Sequence, residues 1–208
     1  MTAPLFPLFL KLGGRRVVLV GAGPVATEKL RHLLEAGAEV VVVAPEIAPA
    51  IEAAPVTILR RPFEAADLDG AWFVVAAAPP DVNRAVAHAA AERRIFVNAV
   101  DDPDAASAYA AAVLRREQLT VAISTDGVAP ALAGLFREAL DALVPHDLAE
   151  WFATARRARA DWMKQRVPMR ERRPLLLQAL NRLYDGGDAH RRQADGDRAG
   201  LSLQTDRS

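Results

Sequence analysis

The stretch Val17-Val-Leu-Val-Gly-Ala-Gly-Pro-Val-Ala26 decides the fold. Its first four residues read as a buried strand, and a glycine turn of the form G-x-G-x-x-A joins them to an amphipathic helix pattern running through Leu30, Leu33 and Leu34 to Gly37. Such a strand, turn and helix form the opening half of a dinucleotide-binding βαβ unit. Gly21 permits the tight turn, Gly23 lets backbone N–H groups approach a pyrophosphate, and Ala26 lets the helix pack close to the strand. The phosphates would rest at a helix N-terminus, where unpaired N–H groups and the dipole favour negative charge.

Working outward, Val40-Val-Val-Val43 is a second β-branched strand. Glu46 follows Gly21 by roughly 25 residues, near the place where the fingerprint sets an acidic residue against the ribose hydroxyls. A carboxylate there favours NAD over NADP by repelling a 2′-phosphate; a solvated glutamate at a helix N-terminus is the alternative reading. The pattern then repeats. Residues 56–60 and 72–77 read as strands, Asp81 to Arg93 as a helix, and Ile95-Phe-Val-Asn98 as a short strand. Strands alternating with helices imply a parallel sheet covered on both faces, with cofactors bound outside the carboxyl ends of the strands. Attention therefore falls on Gly21 to Val25, Ala44 to Glu46, Ala76 to Ala78 and Asn98 to Asp101.

Past Asp101 the rhythm changes. Leu119-Thr-Val-Ala-Ile-Ser124 is strand-like, and helical sequence runs from Pro130 to about Leu143. From His146 the chain is helical and rich in Arg, with Pro168 and Pro174 expected to break it into pieces ending near Tyr184. The expected architecture is α/β: a Rossmann-type parallel sheet over 1–104, a small α+β segment over 105–145, and a helical C-terminal region over 146–185. The polar, aperiodic residues 186–208 are expected to form a disordered tail.

Composition excludes several classes. The chain has 208 residues, of which 51% are hydrophobic, and 26 Lys+Arg balance 26 Asp+Glu, so general nucleic-acid binding is not expected. With no Cys there is no disulfide framework, thiolate nucleophile or Cys-ligated zinc. No secretory signal or membrane-spanning run is evident, and a cytoplasmic protein is expected. His32, His88, His146 and His190 are scattered without metal-ligand spacing, so no preformed metal site is expected. The Tyr-x-x-x-Lys arrangement of short-chain dehydrogenases is missing, since Tyr109 is followed by Val113 and Tyr184 by Asp188.

Asp101 is the candidate for chemistry. It follows a predicted strand where a nicotinamide ring would rest, and a partly buried carboxylate there would serve as a general base coupled to hydride transfer. An Asx turn or helix cap ahead of Pro103 is the alternative. Asp102, held extended by the following proline, should diverge from it, so that only one of the pair faces the cleft. The basic run of Arg156, Arg157, Arg159, Lys164, Arg166, Arg170, Arg172 and Arg173 reads first as a solvated face. Recognition of a polycarboxylate suits it better than nucleic acid, because guanidinium forks match carboxylates.

The order of these pieces resembles the precorrin-2 dehydrogenase/sirohydrochlorin ferrochelatase family. The likeness covers most of residues 4–145 and rests on an ordered set: Pro4-Leu-Phe and Leu10, the turn from Gly21 to Lys29, Val43-Ala-Pro-Glu46, Asn83, Asn98-Ala-Val-Asp101, Leu119 to Thr125, Gly127, Pro130 to Ala133, and Arg137. The resemblance implies oxidation of the tetrapyrrole precorrin-2 to sirohydrochlorin by NAD, with Asp101 matching the family's catalytic aspartate. In many members the same site inserts ferrous iron. It also implies cofactor contacts at Pro24, Val25, Pro45 and Glu46, and substrate contacts at Asn98 and Thr125. Thr125 has a second reading, as a cap for the helix near Pro130. A homodimer formed through residues 105–143 is implied, as is a stand-alone form with no methyltransferase domain attached. The octacarboxylate substrate would give the basic run an electrostatic partner.

Three places depart from the family pattern: the stretch Ala108-Tyr-Ala-Ala111, Ala129 and Ala78. They touch the cleft more than the nucleotide turn. Two competing readings therefore stand beside the dehydrogenase: a non-catalytic NAD- or tetrapyrrole-binding protein, and a chelatase with little dehydrogenase activity.

Overall fold

The computed structural model describes residues 4–184. The expected tail and His190 lie outside the described residues. Packing divides the described residues into two units, one holding 4–112 together with 122–137, the other 113–121 and 138–184.

The first unit is built on a five-stranded parallel sheet. In chain order it runs β1 (Arg16–Val20), α1 (Pro24–Glu35), β2 (Glu39–Val43), the short α2 (Pro49–Glu52), β3 (Thr57–Leu59), β4 (Phe73–Ala76), α3 (Pro80–Glu92) and β5 (Phe96–Ala99). The strands lie in the order β3-β2-β1-β4-β5. Alternation along each strand divides the core into two layers. Val17, Leu19, Val40, Val42 and Val75 pack with Ala26, Leu30 and Leu33 of α1. Val18, Val20, Val41, Val43, Val74 and Val97 pack with Val86, Ala89 and Ala90 of α3. Both faces are thus covered, which is why the strands read as unbroken apolar runs.

Chain direction along the sheet reverses at β1, whose neighbours β2 and β4 are paired in register Val20↔Val43 and Val20↔Ala76. This reversal opens a crevice outside the carboxyl ends of β1 and β4. Away from it, a short 3-10 turn, Ala65–Leu68, buries Asp67. Arg61 donates two hydrogen bonds to the Asp67 carboxylate, at 2.9 and 2.5 Å, and the Glu64 amide donates a third at 2.9 Å. The Arg61 guanidinium holds the Asp67 carboxyl below the usual carboxylate range.

The second unit contains most of a two-stranded sheet, β6 (Ala112–Arg116) with β7 (Leu119–Ile123). Only β7 is expected from sequence; β6 is half-exposed and alanine-led, and it is a strand because β7 supplies its hydrogen-bond partners. Helix α4 (Pro130–Leu143) matches its expected bounds, and α5 (Leu148–Lys164) is followed by helical residues 169–184. Arg116 ties the hairpin to the second unit's helical part through Asp141 at 2.6 Å and the Val144 carbonyl at 3.0 Å. Pro168 precedes the last helix, as expected, but Pro174 does not break it. In the helix's second turn it forfeits only the bond to the carbonyl of Arg170, an exposed residue that water can solvate. Tyr184 closes the unit by accepting a hydrogen bond from Trp151 Nε1 at 2.7 Å and donating one to Asp147 at 3.2 Å.

Candidate functional site

The site lies in the first unit, at the crevice where the glycine turn meets the ends of β4 and β5. Gly21 is buried with φ +101, and a Cβ built on it would stand 2.2 Å from the Ala77 carbonyl oxygen. The residue must be glycine on both grounds. Gly23 differs: it is the N-cap of α1, it is exposed, and a Cβ there would meet nothing within 4 Å. The fold itself therefore leaves room for a side chain at Gly23, and the open space is where a pyrophosphate can meet bare backbone.

Pro24 occupies the first position of α1, where its missing N–H costs nothing and its fixed φ suits the helix. The loop after β2 closes over this turn. Gly21 N–H donates to the Val43 carbonyl at 2.9 Å and Ala48 N–H to the Ala22 carbonyl at 3.1 Å. Pro45 and Glu46 are exposed on that loop. Glu46 precedes α2 by three residues, so it is not the helix N-terminal glutamate of the alternative reading. These residues fit a dinucleotide: an open glycine N-cap, no acidic side chain in the first turn of α1, and a carboxylate on the loop tied to the turn.

A cleft of about 230 Å³ adjoins the turn. It brings Val25 together with Ala77, Ala78 and Pro80 after β4, and with Val100, Asp101 and Asp102 after β5; Asn83 of α3 lines it too. Larger hollows of about 610 and 480 Å³ lie at the amino-terminal ends of β2 and β3 and beside the free edge of β5. Neither touches the glycine turn, so size does not nominate them.

Asp101 is exposed rather than partly buried as expected. Its φ is +57, a left-handed conformation that Asp tolerates better than most residues. The turn-capping expected as one reading of Asp101 belongs to its neighbour. Asp102 Oδ1 accepts the Ala105 N–H at 3.2 Å, which leaves Asp101 without that task. Beyond this turn the chain returns along the free edge of β5. Ser107 and Ala108 N–H donate to the Val97 carbonyl at 2.9 and 3.0 Å, and Val97 N–H donates to Ser107 Oγ at 2.9 Å. Asn98, buried, donates from Nδ2 to the Ala108 carbonyl at 3.0 Å. It is not among the residues that line the cleft.

Thr125 Oγ1 accepts the Ala129 N–H at 3.3 Å, the geometry of a cap just ahead of α4. Its hydroxyl proton remains free to donate elsewhere. Tyr109 links its turn to the Asp101 loop: the hydroxyl donates to the Pro103 carbonyl at 3.2 Å, and a Cβ on Gly127, where φ is +77, would stand 3.1 Å from the ring. Neither Tyr109 nor Asn83 was singled out for a role by sequence reasoning. The signal for Asn83 was available. Val86 and Ala90 on α3 are buried, and the same helical stripe runs back to position 83, where an amide stands instead of an apolar group.

Among the described residues no three His, Asp or Glu side chains form a group that would hold a metal ion. Burial and the adjacent Arg31 hold the His32 imidazole below its usual range, in keeping with a packing residue. No described helix is long and apolar enough to cross a membrane.

Comparison with known proteins agrees with this geometry. Residues 8–112 match the family model described as "Putative NAD(P)-binding", which supports NAD as the cofactor. Siroheme synthase of Salmonella arizonae is 41% identical over 172 residues, 80% of this chain and 38% of that protein. Siroheme synthase of Citrobacter koseri is 42% identical over the same length. The chain therefore spans about 38% of the length of these curated relatives. Among solved structures, SirC, a precorrin-2 dehydrogenase, superimposes with a TM-score of 0.66 at 26% identity, covering 84% of this chain and 88% of its own. By its sheet, its glycine turn and these matches, the chain belongs to the NAD(P)-binding family so described, and it is similar over most of its length to the siroheme synthases and to SirC.

Proposed function

We propose that this chain oxidises precorrin-2 to sirohydrochlorin with NAD as hydride acceptor. The observation that carries the reading is the meeting of an exposed, uncapped Asp101 with the glycine turn across one cleft. Gly21, Gly23, Pro24 and Val25 would hold the pyrophosphate, and Pro45 and Glu46 the ribose end. When bound, NAD supplies a two-electron acceptor at its nicotinamide ring. Asp101 removes the proton that must leave with the hydride. Asn98 acts on the substrate side by holding the chain that returns past β5, and Thr125 by offering its hydroxyl.

The same proposal includes ferrous iron as a substrate. Asp101 would take pyrrole N–H protons as iron enters sirohydrochlorin, which asks for a free carboxylate and no resident metal. The domain roles in the same proposal are 1–104 for the cofactor, 105–145 for self-association, and 146–185 as a basic helical region whose charge suits a polycarboxylate.

The test is anaerobic absorbance of the protein with precorrin-2, following sirohydrochlorin and NADH together. Both should appear in equal amounts, and Asp101→Asn should lower the rate by roughly 10²–10⁴-fold with NAD affinity kept. Tetrapyrrole binding without NADH would end the dehydrogenase reading; an unaffected Asp101→Asn would end the role of Asp101.

A homodimer is part of the proposal, and α4 supports it. Leu132, Leu135, Phe136, Leu140 and Leu143 are exposed at helical spacing along one side of that helix. Light scattering should give twice the chain mass, and Leu135→Glu with Phe136→Lys should give the mass of one chain; a monomeric parent protein refutes the dimer.

A further inference from the structure

Asn83 is a polar residue in an apolar position. It sits one turn into α3 on the stripe that continues through Val86 and Ala90, and it is only 3% exposed. Packing against the sheet asks for an aliphatic side chain there, and burying a primary amide is unfavourable unless its donors and acceptor are used. They are used on two backbone groups. Asn83 Oδ1 accepts the Ala78 N–H at 3.0 Å, and Asn83 Nδ2 donates to the Val100 carbonyl at 3.4 Å.

Each of these groups belongs to a rigid peptide plane, so a bond to one atom orients the whole plane. The Ala78 N–H shares its plane with the Ala77 carbonyl, the group against which Gly21 leaves no room for a Cβ. The Val100 carbonyl shares its plane with the Asp101 nitrogen, and the next rotation along the chain is the left-handed φ of Asp101. A single amide therefore orients one plane that abuts the cofactor turn and another that aims the Asp101 side chain.

We propose that Asn83 is a positioning residue: by clasping the peptides that follow β4 and β5, it sets the Asp101 carboxylate at its working distance from the glycine turn. The inference rests on the reading of Asp101 as the base. It also makes a claim about backbone geometry that holds or fails without any turnover.

The experiment compares Asn83→Ala with the near-isosteric Asn83→Asp, each alone and in the Asp101→Asn background. Asn83→Ala should lower kcat by about 10²-fold, the scale of a small misplacement of a catalytic group, while the dissociation constant for NAD stays within about twofold. In the Asp101→Asn background the same change should have almost no further effect, because a positioning residue acts through the group it positions. A general loss of structure would instead lower both backgrounds equally, and that additivity would overturn the proposal. Should Asn83→Ala fail to fold, Asn83→Asp carries the same comparison, since its carboxylate keeps the acceptor for Ala78 and loses the donor to Val100. The second readout is the backbone amide resonance of Asp101 in ¹⁵N-labelled protein, which should shift in either variant while that of Gly14, at the opposite end of the sheet, stays in place. An unmoved Asp101 resonance overturns the clasp whatever the enzyme does. A shifted resonance in a protein that never oxidises precorrin-2 keeps the clasp and refutes the proposed function.

Discussion

The two sides of the cleft are built by opposite means. The glycine turn is shaped by what is missing: Gly21 has no Cβ because the Ala77 carbonyl occupies that place, and Gly23 leaves open space ahead of α1. The Asp101 loop is shaped by polar side chains, with Asp102 capping Ala105, Ser107 and Asn98 holding the return along β5, and Asn83 bonding Val100. A surface that must admit a large, chemically constant anion is served by bare backbone. A surface that must aim one carboxylate needs directional bonds, and those come from side chains.

The glycine turn offers the sharpest way to break this contrast. Gly21→Ala forces a Cβ into the Ala77 carbonyl and a left-handed φ onto alanine, so it should destabilise the fold by on the order of 3 kcal/mol, read as a lowered midpoint in urea. Gly23→Ala meets no neighbour and should leave that midpoint nearly unchanged while weakening NAD binding about tenfold or more, read by titration calorimetry. If the two alanines behave alike, the division between a glycine required by the fold and a glycine required by the ligand is wrong.

Asp67 sharpens the other half of the comparison, because it is a buried polar hub with no part in the cleft. Arg61 lowers its folded pKa, so its contribution to stability is fully present above the unfolded carboxyl value of about 3.9 and is lost as pH falls through the lower folded value. Asp67→Asn should lower Tm by a few degrees at pH 7, and the gap from the parent protein should close in acid. kcat should not change. A fall in kcat comparable to that of Asn83→Ala would mean that any buried polar group in this unit disturbs the cleft, and the special place of Asn83 would be lost.

Local pattern carried much of this in the sequence. The runs at 17–20, 40–43 and 72–77 are unbroken because both faces of a parallel sheet are covered, and each run overlaps a strand of the structure. The helical sequence from Pro130 to about Leu143 forms α4, Pro130–Leu143. Asp101 could be found from its place after a strand, but its exposure could not, because burial depends on what the rest of the chain brings near. Nor could the sequence say which of two adjacent aspartates would cap the turn.

What the sequence by itself determined is therefore the set of features written in short-range spacing: the βαβ unit, the position of the glycine turn, and the strand ends on which chemistry falls. Tertiary structure alone decided the pairing of β6 with β7, the helix that runs through Pro174, the capping by Asp102 that frees Asp101, and the two bonds of Asn83. Periodicity reports which face of an element is apolar, and that is a property of neighbours three or four residues apart. A hydrogen bond from Asn83 to Val100 joins residues 17 apart, and its existence depends on how strands and helices are stacked, which no local pattern records.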